Sequence, residues 1–125
     1  MRVLYVEDNR INALLFEEML STRSGLELRV AEDGGEALRI AAEWPPEVLV
    51  LDGYLPDITG LELLPQLRAV PGLAGVPAFM CSADSSPQDL QNAQDAGFYG
   101  YWPKPVDIAR ILADLTALQN ASAPR

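Results

Sequence analysis

Three acidic side chains stand where apolar runs of the sequence end. Glu7 and Asp8 directly follow the apolar residues 3–6, and Asp52 directly follows the apolar residues 48–51. A short, continuous apolar run is typical of a strand that is buried on both faces of a parallel sheet. Because functional groups gather at the carboxyl ends of such strands, the three carboxylates meet at one point if the two strands are neighbours.

Three carboxylates at one point repel one another unless a cation neutralises them. The chain has no histidine and a single cysteine, Cys81, so its candidate metal ligands are oxygen atoms, which favours Mg²⁺ over Zn²⁺. The absence of histidine also excludes Ser-His-Asp and Cys-His catalysis and a role as a phosphohistidine carrier. A lone cysteine cannot form an internal disulfide and fits a reducing compartment.

The composition indicates one acidic, folded domain. Its 125 residues suffice for a single core, and 49% of them are apolar. The net charge of −9 argues against direct binding to nucleic acid or to an anionic membrane surface. The first apolar stretch is four residues long and no run reaches membrane-spanning length. We therefore expect no signal peptide, no membrane contact by this domain and a cytoplasmic location.

Strand-like runs alternate with helical patterns along the chain. Each of five predicted helices follows a strand, and the strands are predicted at residues 3–6, 26–30, 48–52, 76–81 and 98–102. The first helix, with Asn9 or Asp8 as its cap, is predicted from the helical spacing of Ile11, Leu14, Leu15 and Met19. Strict alternation of this kind predicts a single doubly wound α/β domain, in which helices cover both faces of a parallel sheet.

Two further polar residues follow predicted strands. Ser82 follows the fourth strand, and Lys104, the only lysine beside eight arginines, follows the fifth. A lone lysine is by itself as well explained by a solvated surface position. Together with the acids, these residues supply what phosphoryl transfer needs: a carboxylate nucleophile, ligands for a divalent ion, and a hydroxyl and an ammonium for the phosphoryl oxygens. No glycine-rich turn follows the first strand, which disfavours a dinucleotide site.

In its order of motifs the sequence resembles the receiver domain of two-component response regulators over residues 1–120, with 121–125 as a frayed C-terminal tail. That family carries an acidic pair after strand one and an acceptor aspartate with a downstream proline and glycine after strand three. A serine or threonine followed by alanine comes after strand four, and Lys-Pro after strand five. The matching residues here are Glu7-Asp8-Asn9, Asp52 with Pro56 and Gly60, Ser82-Ala83, Ala96-Gly97 and Lys104-Pro105. The resemblance implies a flavodoxin-like (βα)5 fold with strand order 2-1-3-4-5.

The resemblance also implies roles for the acidic residues. Asp52 would be the phosphoacceptor, and Asp8, Asp52 and the backbone carbonyl of Tyr54 would bind Mg²⁺ directly. Glu7 would reach the metal through a water molecule. Taken alone, the Glu7-Asp8-Asn9 segment would be better explained as a cap of the first helix, and Asp52 would be as well explained as a turn former beside Gly53.

The remaining polar residues receive roles in the same way. Ser82 would donate a hydrogen bond to a phosphoryl oxygen, and Lys104 would pair with the phosphate. Tyr101 matches the aromatic residue that reorients on activation, although such a tyrosine is more often part of a core or of a partner surface. The resemblance implies a cis peptide bond between Lys104 and Pro105.

Two hypotheses concern the surroundings of the acceptor. Tyr54, two residues after Asp52, would shield the phosphate from attacking water, and Asp84 would lie near the same entrance. The aromatic cluster around the fifth strand would form either a partner surface or simple packing under the last helix, and both alternatives remain open; its members are Phe98, Tyr99, Tyr101 and Trp102.

The sequence therefore predicts a phosphorylation-controlled switch that catalyses only its own modification. A sensor histidine kinase or histidine phosphotransfer protein would supply the phosphoryl group. Phosphorylation would alter the surface of the fourth helix, fifth strand and fifth helix, toward an unknown downstream effector or a homodimer. The segment Val6-Glu7-Asp8-Asn9, followed by Asn12, resembles receivers attached to hybrid sensor histidine kinases. This resemblance favours a phosphorelay component, for example one excised from a kinase of that kind.

Two other functions are weighed against the switch. One is a phosphorylation-independent interaction module with a degenerate site, which the complete set of polar groups disfavours. The other is a small phosphatase with an aspartyl nucleophile. Such enzymes carry a second aspartate two residues after the nucleophile, and that position is Tyr54 here.

Overall fold

Five strands and five helices alternate along the part of the chain that the computed structural model describes, residues 1–83 and 86–122. The strands are β1 (Arg2–Val6), β2 (Glu27–Ala31), β3 (Val48–Asp52), β4 (Ala78–Ser82) and β5 (Gly100–Pro103). The helices are α1 (Arg10–Ser21), α2 (Gly34–Glu43), α3 (Gly60–Arg68), α4 (Pro87–Asp95) and α5 (Ile108–Ser122). All strand pairs are parallel, and the sheet order is β2-β1-β3-β4-β5. The predicted fold class and strand order are confirmed.

The apolar strands form the centre of two hydrophobic layers. Every residue of β3 and β4 is buried, as are four of the five residues of β1. Because side chains alternate between the faces of a sheet, one strand supplies both layers. Leu4 and Leu49 belong to the layer that packs on α2 and α3, whereas Val3 and Val50 belong to the layer that packs on α1 and α5. This double burial explains why the strands appear in the sequence as unbroken apolar runs.

Helix α1 lies where the sequence predicted it, but most of the apolar residues that predicted it do not face the core. The exposed fractions are 69%, 61% and 60% for Ile11, Leu14 and Leu15. The buried residues of α1 are Phe16, Met19 and Leu20, and the Phe16 ring lies 4.2 Å from that of Tyr5 on β1. The helix therefore carries two apolar stripes, of which the one nearer its C-terminal end packs on the sheet.

The aromatic cluster around β5 divides between core and surface. The Trp102 ring stacks on Phe79 with centroids 4.2 Å apart, and its Nε1 donates a 2.8 Å hydrogen bond to Asp114 on α5. Phe98 is also buried, whereas Tyr99 is 65% exposed. Packing under the last helix is therefore correct for Trp102, whereas Phe98 is buried in the other layer, which packs on α2 and α3. Tyr99 remains available at the surface.

The last strand and the last helix lie at the C-terminal end of the described chain. β5 is an edge strand that ends in Pro103, a position where the missing N–H is tolerated. Helix α5 continues to Ser122, two residues beyond the boundary expected at 120, and residues 123–125 lie outside the described part. Among the described residues, no helix combines the length and the apolarity required to cross a membrane.

Candidate functional site

The register of β1 and β3 brings the acidic residues together. Val6 pairs with Leu51, so the next residue of each strand, Glu7 and Asp52, emerges at the same edge of the sheet. One carboxylate oxygen from each of Glu7, Asp8 and Asp52 lies within 4.8 Å of the others. The convergence expected from the two apolar runs is therefore present.

The next strands add the hydroxyl and the ammonium. Asp52 pairs with Cys81, so Ser82 follows one residue later on β4, and Ser82 in turn pairs with Pro103 on β5. Lys104 comes directly after Pro103, and its backbone N–H donates to the carbonyl oxygen of Ser82 at 3.0 Å. The site residues from four segments thus lie at one edge of the sheet, because the register places their strand ends side by side.

Lys104 bridges the two buried acids. Its Nζ donates to Oε1 of Glu7 at 2.7 Å and to Oδ2 of Asp52 at 3.1 Å. Burial alone would lower the pKa of Lys104, but the two carboxylates outweigh it and raise that pKa above the ordinary value. The peptide bond between Lys104 and Pro105 is cis, the geometry that the resemblance implied.

Glu7 is held by more donors than the sequence suggested. Its Oε1 also accepts from the Tyr5 hydroxyl at 3.1 Å and from Asn12 Nδ2 at 3.2 Å. Tyr5 was not predicted to belong to the site, although side chains alternate along β1 and residues 5 and 7 therefore lie on one face. Since an acid that is 1% exposed needs partners to remain ionised, this network is what permits a charged Glu7 inside the domain.

Burial and neighbouring charges move the pKa values of the two buried acids in opposite directions. Burial raises the pKa of Asp52 to about 6, with help from Glu7, while Lys104 opposes the change. Burial also tends to raise the pKa of Glu7, but hydrogen bonds with Asp52 and Lys104 outweigh this effect and lower the pKa to about 2. In the metal-free protein Glu7 therefore carries the more persistent negative charge, and Asp52 is the acid that takes up a proton first.

The acidic pair does not cap α1. Asn9 is the N-cap, and its Oδ1 accepts from the backbone N–H groups of Ile11 and Asn12 at 3.0 and 3.1 Å. The segment Glu7-Asp8-Asn9 therefore caps the helix as expected, but through Asn9, and the capping oxygen belongs to neither acid. Asp8 is exposed beside the buried Glu7, so the carboxylate cluster opens to solvent on its side.

The donor set fits a magnesium ion. Three carboxylates converge, one from the exposed side and two from the buried side, and among the described residues this cluster offers oxygen ligands alone. Hard oxygen donors with a solvent-open side match the preference of Mg²⁺ for a few carboxylates plus several retained waters. Glu7, Asp8 and Asp52 could therefore hold this ion.

Ser82 and Tyr54 lie on either side of Gly53, the residue that follows the acceptor Asp52. A Cβ built on Gly53 would lie 2.7 Å from Ser82 Oγ, so the glycine allows the serine to approach the acceptor loop closely. The backbone N–H of Tyr54 donates to Asp52 Oδ1 at 3.3 Å, and the tyrosine side chain is 61% exposed. Tyr101 is half-buried, and a cavity of about 90 Å³ lies between it, Tyr54 and Ser82. The predicted position of Asp84 lies outside the described residues.

An apolar surface adjoins the site on its α1 side. A cavity of about 520 Å³ opens between α1 and the segment after β5, and its lining includes Asn12, Leu15, Lys104 and Pro105. Two of these residues, Asn12 and Lys104, also bind Glu7. The exposed apolar stripe of α1 thus reaches the edge of the carboxylate cluster.

Comparison with known proteins agrees with the geometry. The family model of the response regulator receiver domain matches residues 3–116. Response regulator MprA of Mycobacterium leprae is 35% identical over 124 residues, which cover 99% of this chain and 53% of that protein. The polar-differentiation response regulator DivK of Brucella anthropi is 31% identical over 110 residues, which cover 88% of this chain and 89% of that protein. The chain thus spans about half the length of MprA but most of DivK.

A solved structure provides a comparison for the metal site. The receiver domain of the sensor histidine kinase PA1611 from Pseudomonas aeruginosa superposes with a TM-score of 0.82 at 28% identity, covering 93% of this chain and 94% of that one. That structure has a magnesium ion coordinated in the active-site cleft. A similar fold with similar sequence therefore binds the ion that the donor set here fits.

Proposed function

This chain belongs to the response regulator receiver domain family, and from that premise we propose that it is a switch phosphorylated on Asp52. The observation that carries the proposal is the cluster around Asp52. An acid at the end of a central strand lies beside the ammonium of Lys104, with two further carboxylates within 4.8 Å for a metal. A nucleophile, charge-neutralising groups and a metal site at one point are the requirements of phosphoryl transfer.

The proposed reaction is attack on a phosphohistidine. A carboxylate oxygen of Asp52 bonds to phosphorus, and the N–P bond breaks. The imidazole nitrogen leaves with that electron pair, as neutral imidazole when the other ring nitrogen carries a proton. The ammonium of Lys104, 3.1 Å from Asp52, and the Mg²⁺ that Asp52 would hold both favour the ionised carboxylate, which is the form that attacks.

Each neighbouring group has a task in this reaction. Mg²⁺ held by Glu7, Asp8, Asp52 and the carbonyl of Tyr54 would neutralise charge on the phosphoryl oxygens. Lys104 and the Ser82 hydroxyl would hold those oxygens after transfer. The acyl phosphate adds a charge of about −2, which draws both residues toward it. Glu7 keeps the Tyr5 and Asn12 hydrogen bonds if Lys104 moves, so the buried acid is not left without partners.

The switch is proposed to be read at the surface of α4, β5 and α5. Tyr101 on β5 and Ser82 border the same cavity of about 90 Å³, so a shift of the serine would change the space available to the tyrosine ring. Tyr99 and Leu90, 65% and 42% exposed, lie on this face and would contact an effector or a second copy of the chain. We propose that the protein acts in the cytoplasm as a component of a phosphorelay.

The phosphoryl donor is proposed to dock on α1. The exposed stripe consists of Ile11, Leu14 and Leu15. Leu15 lines the cavity beside Lys104, and Leu14 lines a second cavity beside Glu7. A protein that covers this stripe would therefore bring a phosphohistidine near Asp52. A sensor histidine kinase or a histidine phosphotransfer protein has this chemistry.

Intact mass after incubation with acetyl phosphate and Mg²⁺ tests the acceptor. The parent is expected to gain one phosphoryl group, and Asp52→Asn is expected to gain none. Asp95→Asn, an equal change of charge on α4, serves as the matched control and retains the adduct. Beryllofluoride binding detects an acceptor whose phosphate hydrolyses too fast to observe. An adduct that persists in Asp52→Asn, or a parent that takes up neither phosphoryl group nor beryllofluoride, would refute the proposal.

A further inference from the structure

We propose that Asp57 is a positioning residue for the Mg²⁺ site, because it fastens the loop that carries Tyr54 to the first turn of α2. The inference rests on the proposed function, in which the Tyr54 carbonyl is a metal ligand. Asp57 itself is exposed and belongs to none of the matched family motifs described above.

The fastening consists of two hydrogen bonds between distant segments. Asp57 Oδ1 accepts from the backbone N–H of Gly34 at 2.9 Å, and Oδ2 accepts from that of Gly35 at 3.1 Å. Both N–H groups belong to the first turn of α2, where no partner exists within the helix and negative charge is favoured. The bond from Gly34 is the main cause that lowers the pKa of Asp57 below its ordinary value.

The loop and the helix also pack without space between them. A Cβ built on Gly34 would lie 2.5 Å from Cγ2 of Ile58 and 3.3 Å from Oδ2 of Asp57. Any larger residue at position 34 would therefore push the loop away from α2. The absence of a side chain at Gly34 leaves room for the loop, and the two carboxylate oxygens of Asp57 accept from two backbone N–H groups of the helix. Both segments therefore contribute to the close contact.

The loop between β3 and α3 is otherwise held mainly at its base. The N–H of Gly60 donates to the carbonyl of Gly53 at 3.0 Å, and Tyr54 faces Thr59 in an isolated antiparallel bridge. One further backbone bond, from Leu55 to the carbonyl of Ile58 at 3.1 Å, closes the turn in which Asp57 lies. Asp57 therefore fixes the tip of a loop whose base is fixed by β3 and α3.

A metal ligand on such a loop depends on both attachments. A backbone carbonyl can contact Mg²⁺ only in a narrow range of positions, because this ion demands near-ideal octahedral geometry. When the tip is released, Tyr54 keeps its bridge to Thr59 and the bond from its N–H to Asp52, but the loop beyond it can shift and loosens the orientation of the Tyr54 carbonyl. The lost order must then be restored on each binding event. The structure thus makes Mg²⁺ affinity depend on a carboxylate that does not touch the ion.

Asp33 provides a matched control on the same helix. Its carboxylate is the N-cap of α2 and accepts from the backbone N–H of Glu36 at 2.8 Å, within the helix's own first turn. Asp33→Ala and Asp57→Ala each remove one acidic side chain that binds the N-terminus of α2. Only Asp57→Ala also detaches the loop that carries Tyr54.

Isothermal titration of the full chain with Mg²⁺ tests the inference, with urea unfolding in parallel to compare stability. Asp57→Ala is expected to raise the Mg²⁺ Kd about tenfold, whereas Asp33→Ala changes it less than about twofold. Amide hydrogen exchange without metal adds a second measurement: exchange in residues 54–59 is expected to accelerate in Asp57→Ala and to stay at the parent rate in Asp33→Ala.

The outcomes separate this inference from the proposed function. Equal Kd values for the two variants would overturn it, and Asp57 would then be only a second cap of α2. Unchanged exchange in residues 54–59 of Asp57→Ala would overturn it as well. A parent that binds no Mg²⁺ would refute the proposed metal site and this inference together. Normal Mg²⁺ binding by both the parent and Asp57→Ala would refute this inference alone.

Discussion

At the scale of single residues, the network around Glu7 determines how three acids coexist. One oxygen of Glu7 accepts from Lys104, Tyr5 and Asn12, which are an ammonium, a hydroxyl and an amide. The two neutral donors come from within β1 and from α1, so they remain when the lysine moves. The partners of Glu7 are therefore arranged so that Lys104 can change its position.

Tyr5→Phe tests this network with the loss of one oxygen atom. The buried acid loses a donor, so the free energy of unfolding is expected to fall by about 1.5 to 3 kcal/mol. Urea unfolding measures the change. Tyr99→Phe, at a tyrosine that is 65% exposed, is the control and is expected to remain near the parent. Equal stability of Tyr5→Phe and the parent would show that the hydroxyl contributes nothing.

The opposite pKa shifts of the two acids predict an unusual pH dependence without metal. The pKa of Asp52 is about 6 in the folded state, above its ordinary 3.8, so the folded state binds more protons and stability falls as pH rises through this window. The pKa of Glu7 is about 2, below its ordinary 4.5, so stability rises with pH through that lower window.

Urea unfolding in a chelator, at pH values from about 3 to 7, measures this dependence. The stability of the parent minus that of Asp52→Asn is expected to decline between about pH 4 and pH 6, because the amide does not titrate. A difference that is constant or increases across that window would contradict the assignment.

Gly53 shows how a single missing side chain shapes the site. A Cβ there would lie 2.7 Å from Ser82 Oγ, so Gly53→Ala must displace either the serine or the loop. We expect a loss of about 1 to 3 kcal/mol and weaker beryllofluoride binding. Gly75→Ala, where no atom lies within 4 Å of the added carbon, is the matched control. Unchanged beryllofluoride affinity in Gly53→Ala would refute the link to Ser82.

At the scale of elements, the sequence pattern predicted that α1 exists but not which of its faces is buried. The spacing of apolar residues predicted the helix, but it did not show which of two apolar stripes packs on the sheet. Phe16 and Met19 are buried because they lie over β1, a fact of tertiary packing that local spacing does not contain. The exposed stripe remains free for another protein.

Leu14→Glu tests α1 as the docking surface. The side chain is 61% exposed, so the change is expected to alter stability by less than about 0.5 kcal/mol. Phosphoryl transfer from a phosphohistidine protein is expected to slow at least about tenfold, the equivalent of about 1.4 kcal/mol, whereas labelling by acetyl phosphate stays at the parent rate. Leu90→Glu on α4 is the control. Equal transfer rates for the two variants would place the donor elsewhere.

The strand ends were the most predictable elements of the site. Apolar runs that stop at Asp52 and Ser82 identified the relevant edge of the sheet, because fully buried strands leave polar residues only at their ends. Tyr5 was not found because a tyrosine inside an apolar run has the pattern of a core residue. Asp57 was not found because its partners are backbone N–H groups of a helix 22 and 23 residues earlier, and no side-chain motif marks such groups.

At the scale of the whole molecule, the alternation of five strands and helices was enough to predict a parallel sheet with helices on both faces, but not the order of its strands. A right-handed crossover after each strand leaves few arrangements for a parallel sheet, and the family motifs selected the order 2-1-3-4-5. Which segments would contact each other at the site followed from that order. The individual hydrogen bonds, such as the one between Trp102 and Asp114, did not.

Mg²⁺ is expected to stabilise the whole domain, because the proposed site for the ion exists only when the three acids are brought together by folding. At about 100 times its Kd, the ion should add about 2.7 kcal/mol to the free energy of unfolding. Asp8→Asn is expected to lose this gain while the metal-free protein keeps or increases its stability, since one of three repelling carboxylates is removed. Thermal unfolding with and without the ion measures both. Equal stabilisation of Asp8→Asn and the parent would exclude Asp8 as a ligand.

The short edge strand that ends in Pro103 has a consequence for self-association. Four residues, the last without an N–H, offer little template for a continuous intermolecular sheet, so fibril-like addition of strands is discouraged at this edge. A partner that meets this side must bind through exposed side chains such as Tyr99. Contacts of that kind form and dissolve readily, which is what a signal that must be erased requires.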